Sequence, residues 1–389
     1  GSYVPVQGER AINCHNTSGH GTQTLVQGTM NSCNPFFIYL GQLLGTETFF
    51  DYFEAFGFTQ KTGIDLPGES QSIYHDRDMS LMDLAVESFG QNFSITPIQM
   101  ITACAAIANG GYLVQPHVVS QIVDNDGNII KTADTTVKRQ VISEETSKRV
   151  SKILQENATS GTAKNGYVAG YRIAGKTGTS EKVGADGKVG SDNKYIASYC
   201  GFAPADDPQY AVLVFFDEPT GDSYYGGAVA GPVFAKIMEE ILPYLNVETK
   251  YTEDEAGRVG VSAPNVIGKT VSEATNELTN SGLKILVKGS GDTVIAQTPD
   301  PGSSVPSGGT VVVYTDEASM NQTVTVPNFT NRSLSDVNYL AAQAGLNIKV
   351  TGAYNSSAAT ARTQDYAAGE QIKPGTVITV NFVEEDTVR

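Results

Sequence analysis

Apolar residues recur at helical spacing in several stretches of the first 245 residues, and at strand spacing in others. After Thr96-Pro97, the positions Ile98, Met100, Ile101 and Ala105 lead to Asn109-Gly110-Gly111. Threonine caps helix starts, proline suits the first helical position and glycine ends helices, so this stretch predicts a helix. Ser143 opens a second helix, from Glu144 to about Glu156, and Val229 to Leu245 reads as a third. Pro35–Phe53 is a further apolar, helix-like run. Tyr171–Gly175, Tyr195–Phe202 and Gln209–Phe216 read as strands. The short turn Pro204-Ala205-Asp206-Asp207-Pro208 joins the last two, which favours an antiparallel pair. The expected class is α+β, with helices and an antiparallel sheet in one domain covering residues 1–245.

The pattern then changes. Residues 246–260 are polar and charged (Glu248, Lys250, Glu253, Asp254, Glu255) and read as a linker. Beyond it the sequence repeats. Val261-Ser262-Ala263-Pro264-Asn265 returns as Val324-Thr325-Val326-Pro327-Asn328, and Ser281-Gly282-Leu283 as Ala344-Gly345-Leu346. Gly308-Gly309-Thr310-Val311 returns as Pro374-Gly375-Thr376-Val377. Each unit, 261–316 and 322–385, reads as strand, helix, strand, turn, strand. Thr270 or Ser272 starts the first helix and Ser333 or Ser335 the second, with Ala274, Leu278 and Leu283 apolar. Neither unit holds a catalytic cluster. Across 263–315 and 325–383 they resemble PASTA modules, small extracellular α+β domains of cell-wall enzymes and wall-sensing kinases. No kinase motif accompanies them, so the first domain must decide the function.

Composition narrows the classes. With 26 basic against 42 acidic residues the 389-residue chain carries a net charge of −16, which excludes the basic footprint of nucleic-acid binding. Four cysteines do not make a disulfide scaffold. Cys104 and Cys200 sit in apolar runs and read as buried small hydrophobes. The chain has no 18-residue apolar run and no signal peptide.

The candidate chemistry lies in residues 1–245. Lys-Thr-Gly occurs twice. Lys176-Thr177-Gly178, followed by Thr179, sits on a strand, where Lys and Thr can face a groove and Gly lets a substrate backbone approach. Lys61-Thr62-Gly63 sits at a Gly/Pro-rich turn and reads as structural. Ser32-Cys33-Asn34 places two polar side chains two positions apart, where they can point into one cleft or cap the following helix.

Together and in this order, Ser-x-Asn and Lys-Thr-Gly-Thr resemble the penicilloyl-serine transferases. Lys61–Glu69, Gly90-Gln91-Asn92-Phe93-Ser94-Ile95-Thr96-Pro97-Ile98-Gln99 and Gly201-Phe202-Ala203-Pro204 make residues 1–245 similar to the C-terminal part of a class B penicillin-binding transpeptidase. With two PASTA modules the chain resembles division or sporulation enzymes of Gram-positive bacteria. The resemblance implies the penicilloyl-serine-transferase fold and acyl transfer from a D-Ala-D-Ala stem peptide through a serine acyl-enzyme, with β-lactams acylating the same serine. Ser32 would relay a proton, Asn34 would bond the substrate amide or the lysine of the family's Ser-x-x-Lys motif, Lys176 would supply positive potential, and Thr177, Gly178 and Thr179 would receive the terminal carboxylate. The Thr179 N–H would be half of the oxyanion hole. Also implied are an extracellular location through an upstream membrane anchor, and division or sporulation machinery as partners. The family nucleophile lies in Ser-x-x-Lys upstream of Ser-x-Asn. Ser191-Asp192-Asn193-Lys194 and Ser281-Gly282-Leu283-Lys284 match in form but fall in the wrong order, so the nucleophile is expected before residue 1 and the piece by itself is expected to be inactive. A D,D-carboxypeptidase and a non-catalytic wall- or β-lactam-binding protein are the alternatives.

Cys14-His15, His20 and Cys33 form a second constellation. Two thiols and two imidazoles suit tetrahedral zinc, pinning the Ser-x-Asn loop rather than doing chemistry. Cys14, His20 and Cys33 lead as ligands, with His15 or an upstream residue as the fourth. A Gly-rich loop with a free thiol, or a Cys14–Cys33 disulfide, are the other readings. His75 and His117 read as structural.

Overall fold

The computed structural model describes all residues except 134–135, 184–188, 222, 253–254, 256–259, 307, 354–357 and 385–389. The charged linker thus lies partly outside the described residues, as does residue 385, the expected end of the second module. The chain divides into two compact units: Gly1–Tyr167 with Tyr171–Asn246, and Val168–Gly170 with Val247–Glu385.

In the first unit, helices α1 (Leu25–Met30), α2 (Asn34–Ala55), α3 (Leu81–Glu87), α4 (Pro97–Ala108), α5 (Glu144–Ser160) and α6 (Gly226–Tyr244) accompany a sheet of β1 (Ala174–Glu181), β2 (Tyr195–Ala203) and β3 (Tyr210–Asp217). The strands run antiparallel in the order β1-β2-β3, which leaves one edge of β1 unpaired by any strand among the described residues. Thr96 caps α4 in a capping box with Gln99, as the sequence suggests, and Ser143 caps α5, which runs one turn beyond the expected end. The first strand departs from expectation. It begins at Ala174, not Tyr171, because Arg172 adopts φ 44° and breaks the extended run ahead of it. Helix α2 is interrupted at Gly45, whose φ of 76° and ψ of 164° are not helical.

The sheet is buried by aromatic packing. Tyr199 and Phe234 lie 4.4 Å apart between β2 and α6, with no measurable exposure of either. Cys104 and Cys200 are buried beside Phe202, as expected. A hydrogen bond shared with Cys104, together with burial, pushes the Cys200 thiol well up and keeps it protonated.

The second unit holds two copies of one design. In the first, α7 (Val271–Asn280) accompanies a sheet of β4 (Lys284–Lys288), β5 (Ala296–Thr298) and β6 (Thr310–Tyr314), in the order β4-β6-β5. In the second, α8 (Leu334–Ala344) accompanies β7 (Asn347–Gly352), β8 (Thr360–Gln364) and β9 (Val377–Val383), in the order β7-β9-β8. In each copy the central strand pairs parallel to the first strand and antiparallel to the other. Thr270 and Ser333 are the helix caps. Ala274, Leu278 and Leu283 are buried in the first core. A glutamine in each copy clamps the repeated Pro-Asn start: Gln297 accepts from Val266 N and donates to Pro264 O, and Gln364 does the same to Phe329 N and Pro327 O. Among the described residues no helix is long and apolar enough to cross a membrane.

Candidate active site

The Ser-x-Asn loop is a helix end. Helix α1 stops at Met30, Ser32 N donates to Thr29 O, and Cys33 N donates to Gly28 O. This pair of bonds is a Schellman motif, whose left-handed position normally belongs to glycine. Here Ser32 occupies it, with φ 47°. Holding a serine left-handed costs about 1–2 kcal/mol. The arrangement aims the hydroxyl across the cleft, where Lys176 Nζ donates to Ser32 Oγ at 2.7 Å. Residues 144 positions apart in sequence thus meet.

Lys176 also donates to Thr177 O at 2.9 Å, and desolvation pulls its ammonium down to about 8. Along an antiparallel strand, alternate residues direct their N–H and C=O to opposite edges. Gly178 O takes the Ser198 hydroxyl on the β2 side, whereas Thr179 O is bonded by the side chain of Gln91. The backbone of Thr179 therefore faces the edge of β1 away from β2. Its hydroxyl accepts from Gly226 N at 3.0 Å, at the N-terminus of α6, so positive helix-end potential reaches this point. Gly178 also suits the packing against β2, since a Cβ there would lie 2.5 Å from Ser198 Oγ. Asn34 is the first residue of α2, lines the cleft and donates to Asn13 O at 3.1 Å. The cleft holds about 760 Å³ and brings Ser32, Asn34, Lys176, Thr177, Gly178 and Thr179 together.

Sequence reasoning missed Thr162. Its N–H donates to Met30 O beside the Ser-x-Asn loop, and its hydroxyl joins Thr177 Oγ1 at 3.5 Å and Asn157 Oδ1 at 3.4 Å. Asn157, fully buried, donates to Gly175 O at 2.7 Å. One polar chain therefore ties α5, the Ser-x-Asn loop and β1 together. A lone Ser-Gly-Thr after a helix gives no sequence signal of this. The other Lys-Thr-Gly is structural, as expected: Thr62 N and Gly63 N both donate to the Glu69 carboxylate, the first at 2.6 Å. His75 is also structural, bonding the buried Glu87 at 2.8 Å.

The cysteine–histidine cluster is assembled beside the cleft. Cys14 Sγ lies 3.7 Å from His15 Nδ1 and 3.6 Å from His20 Nδ1, and the three ligand atoms all lie within 4.8 Å of one another. Around a tetrahedral zinc, sulfur and nitrogen ligands sit about 3.5 Å apart, so this trio fits the ion. Burial holds both imidazoles below their ordinary range, in the neutral form a metal needs. Cys33 stands outside the trio but within hydrogen-bonding reach of Cys14, and burial with this neighbour raises the Cys14 thiol. Cys14 and Cys33 are both free, not a disulfide.

The penicillin binding protein transpeptidase domain matches residues 3–239, and the PASTA domain matches 261–317 and 324–384. The chain is 40% identical over 324 residues to stage V sporulation protein D of Bacillus subtilis, covering 81% of this chain and 49% of that protein. It is 33% identical over 201 residues to the peptidoglycan D,D-transpeptidase FtsI of Escherichia coli, covering 51% of this chain and 32% of that one. The chain thus spans about half or less of the length of these curated relatives. Penicillin binding protein 3 of Mycobacterium tuberculosis complexed with aztreonam has a similar fold: TM-score 0.59 at 28% identity, over 64% of this chain and 57% of that one. The chain therefore belongs to the penicillin-binding-protein transpeptidase family and carries two PASTA domains.

Proposed function

We propose that the cleft cross-links peptidoglycan by acyl transfer. A serine activated by a lysine, in a Ser-x-x-Lys segment outside these 389 residues, attacks the carbonyl between two terminal D-Ala residues. The Thr179 N–H holds the oxyanion, a contact worth roughly 2.7–4 kcal/mol in comparable sites. The hydroxyls of Thr177 and Thr179 and the Lys176 charge take the terminal carboxylate. Ser32 passes a proton to the leaving D-Ala, and an ammonium near pKa 8 beside it exchanges protons readily at neutral pH. An amine of a neighbouring stem then takes the acyl group. The observation that carries this reading is the 2.7 Å contact of Lys176 with Ser32 across the cleft. Full-length protein given a D-Ala-D-Ala stem peptide and an acceptor amine is expected to release D-Ala and form the cross-linked product. D-Ala release with water as the sole acceptor would make it a carboxypeptidase, and no release would make it a binding protein.

β-Lactams, as mimics of the same dipeptide, should acylate the upstream serine. Likeness to a stage V sporulation protein favours a sporulation setting over division, with anchorage to the outer face of the cytoplasmic membrane by a segment outside this chain. We further propose that Cys14, His15 and His20, with Cys33 as the fourth ligand, hold one structural zinc that pins the loop carrying Ser32. Metal analysis of protein purified without chelator should find about one zinc per chain, and a metal-free result would remove the proposal.

A further inference from the structure

Gln91 reaches the reactive edge of β1 from the loop after α3. The loop is held tightly: Gly90 and Asn92 adopt φ 91° and 68°, Gln91 N donates to Val86 O, and Asn92 Nδ2 donates to Asp83 Oδ1. From this turn the Gln91 carboxamide spans 88 residues of sequence. Nε2 donates to Thr179 O at 3.2 Å, and Oε1 accepts from Ser180 Oγ at 3.3 Å. The two contacts fix which end of the amide faces the strand.

Thr179 O matters because of its position. In an antiparallel hydrogen-bonded pair, two residues exchange both N–H···O bonds. A substrate residue whose carbonyl oxygen lies on Thr179 N–H must therefore offer its own N–H to Thr179 O. That residue is the penultimate one, the residue that becomes the acyl group. In the free protein its acceptor is already occupied by Gln91.

We propose that Gln91 is a specificity-determining residue: its carboxamide stands in for the substrate amide on the Thr179 carbonyl, so binding exchanges one amide for another. This rests on the acyl-transfer reading above. The exchange keeps the carbonyl satisfied while the cleft is empty, and it weakens the site's dependence on an N–H in the ligand. An unsatisfied carbonyl would make that dependence strong.

The test uses full-length protein and two penicillins, one with its side-chain N–H and one with an ester oxygen in place of that N–H. The quantity read is the ratio of their second-order acylation rates. In Gln91→Met the ratio in favour of the N–H compound is expected to rise roughly tenfold over the unsubstituted protein. Gln91→Glu, which keeps the shape and the Ser180 contact but cannot donate, is expected to do the same and serves if the methionine variant does not fold. An unchanged ratio, even with both rates lowered, would overturn the proposal and leave Gln91 as a brace. If the unsubstituted protein is not acylated by either compound, the acyl-transfer reading itself falls, and this proposal falls with it.

Discussion

Replacing Lys176 with methionine should stabilise the fold at neutral pH while removing most of the acyl transfer. A lysine of ordinary pKa 10.5 is held here at about 8, the cause being desolvation. At 1.36 kcal/mol per pKa unit, keeping the ammonium charged in the cleft costs about 3 kcal/mol at pH 7. Its bonds to Ser32 Oγ and Thr177 O return about 1 kcal/mol each. Methionine removes both, for a net gain of about 1 kcal/mol, or roughly 2–4 °C in the melting temperature of a unit this size. The pH dependence has a definite sign. Between about pH 8 and pH 10.5 the unfolded state binds more protons than the folded one, so the unsubstituted protein gains stability as pH rises. The penalty is fully present below pH 8 and falls under about 1 kcal/mol by pH 10. The advantage of the variant should therefore vanish or reverse by pH 10. Thermal unfolding of both proteins from pH 7 to 10 measures this. A variant that is less stable at pH 7, by an amount independent of pH, would refute a costly buried charge.

Ser32→Gly and Ser32→Ala should both lose acylation, but the glycine variant should be more stable by about 0.5–1 kcal/mol, because it relieves the left-handed strain at the cost of some chain entropy; equal melting temperatures would contradict the strain. If the proposed zinc is held as inferred, Cys14→Ser should lose it and lower both melting temperature and acylation rate, and chelator should do the same to the unsubstituted protein alone. Asn157→Ala should destabilise by about 1–3 kcal/mol, since Gly175 O is left buried without its donor. Leu278→Ala, in the first PASTA core, should cost about 2–5 kcal/mol in that unit's unfolding transition while leaving penicillin acylation unchanged.

The two chemical motifs and the repeats were legible because each is local. Ser-x-Asn, Lys-Thr-Gly-Thr and the Pro-Asn and Gly-Thr-Val echoes need only a few consecutive residues. The helices at Thr96 and Ser143 were legible for the same reason, since cap chemistry is written in adjacent positions. What the sequence hid is long-range or conformational. The left-handed φ of Ser32 depends on how α1 ends, and serine is a poor signal for a position that glycine usually fills. Arg172 likewise gave no warning that it would break the extended run before β1. Thr162, Asn157 and Gln91 act on β1 through contacts with distant segments, and no spacing rule connects them to it. The cysteine–histidine trio was visible as a cluster, but the place of Cys33 beside Cys14 rather than among all three ligand atoms came only from the fold.

The most direct test of the account is to locate the penicillin adduct. Full-length protein treated with a fluorescent penicillin and digested should carry the label on one peptide, in a Ser-x-x-Lys segment upstream of Gly1, and Lys176→Met should greatly slow its formation. The isolated 389-residue chain should remain unlabelled. An adduct on Ser32, Ser191 or any other residue of this chain would contradict the account, which proposes that Ser32, Lys176 and Thr179 serve a nucleophile in the upstream segment.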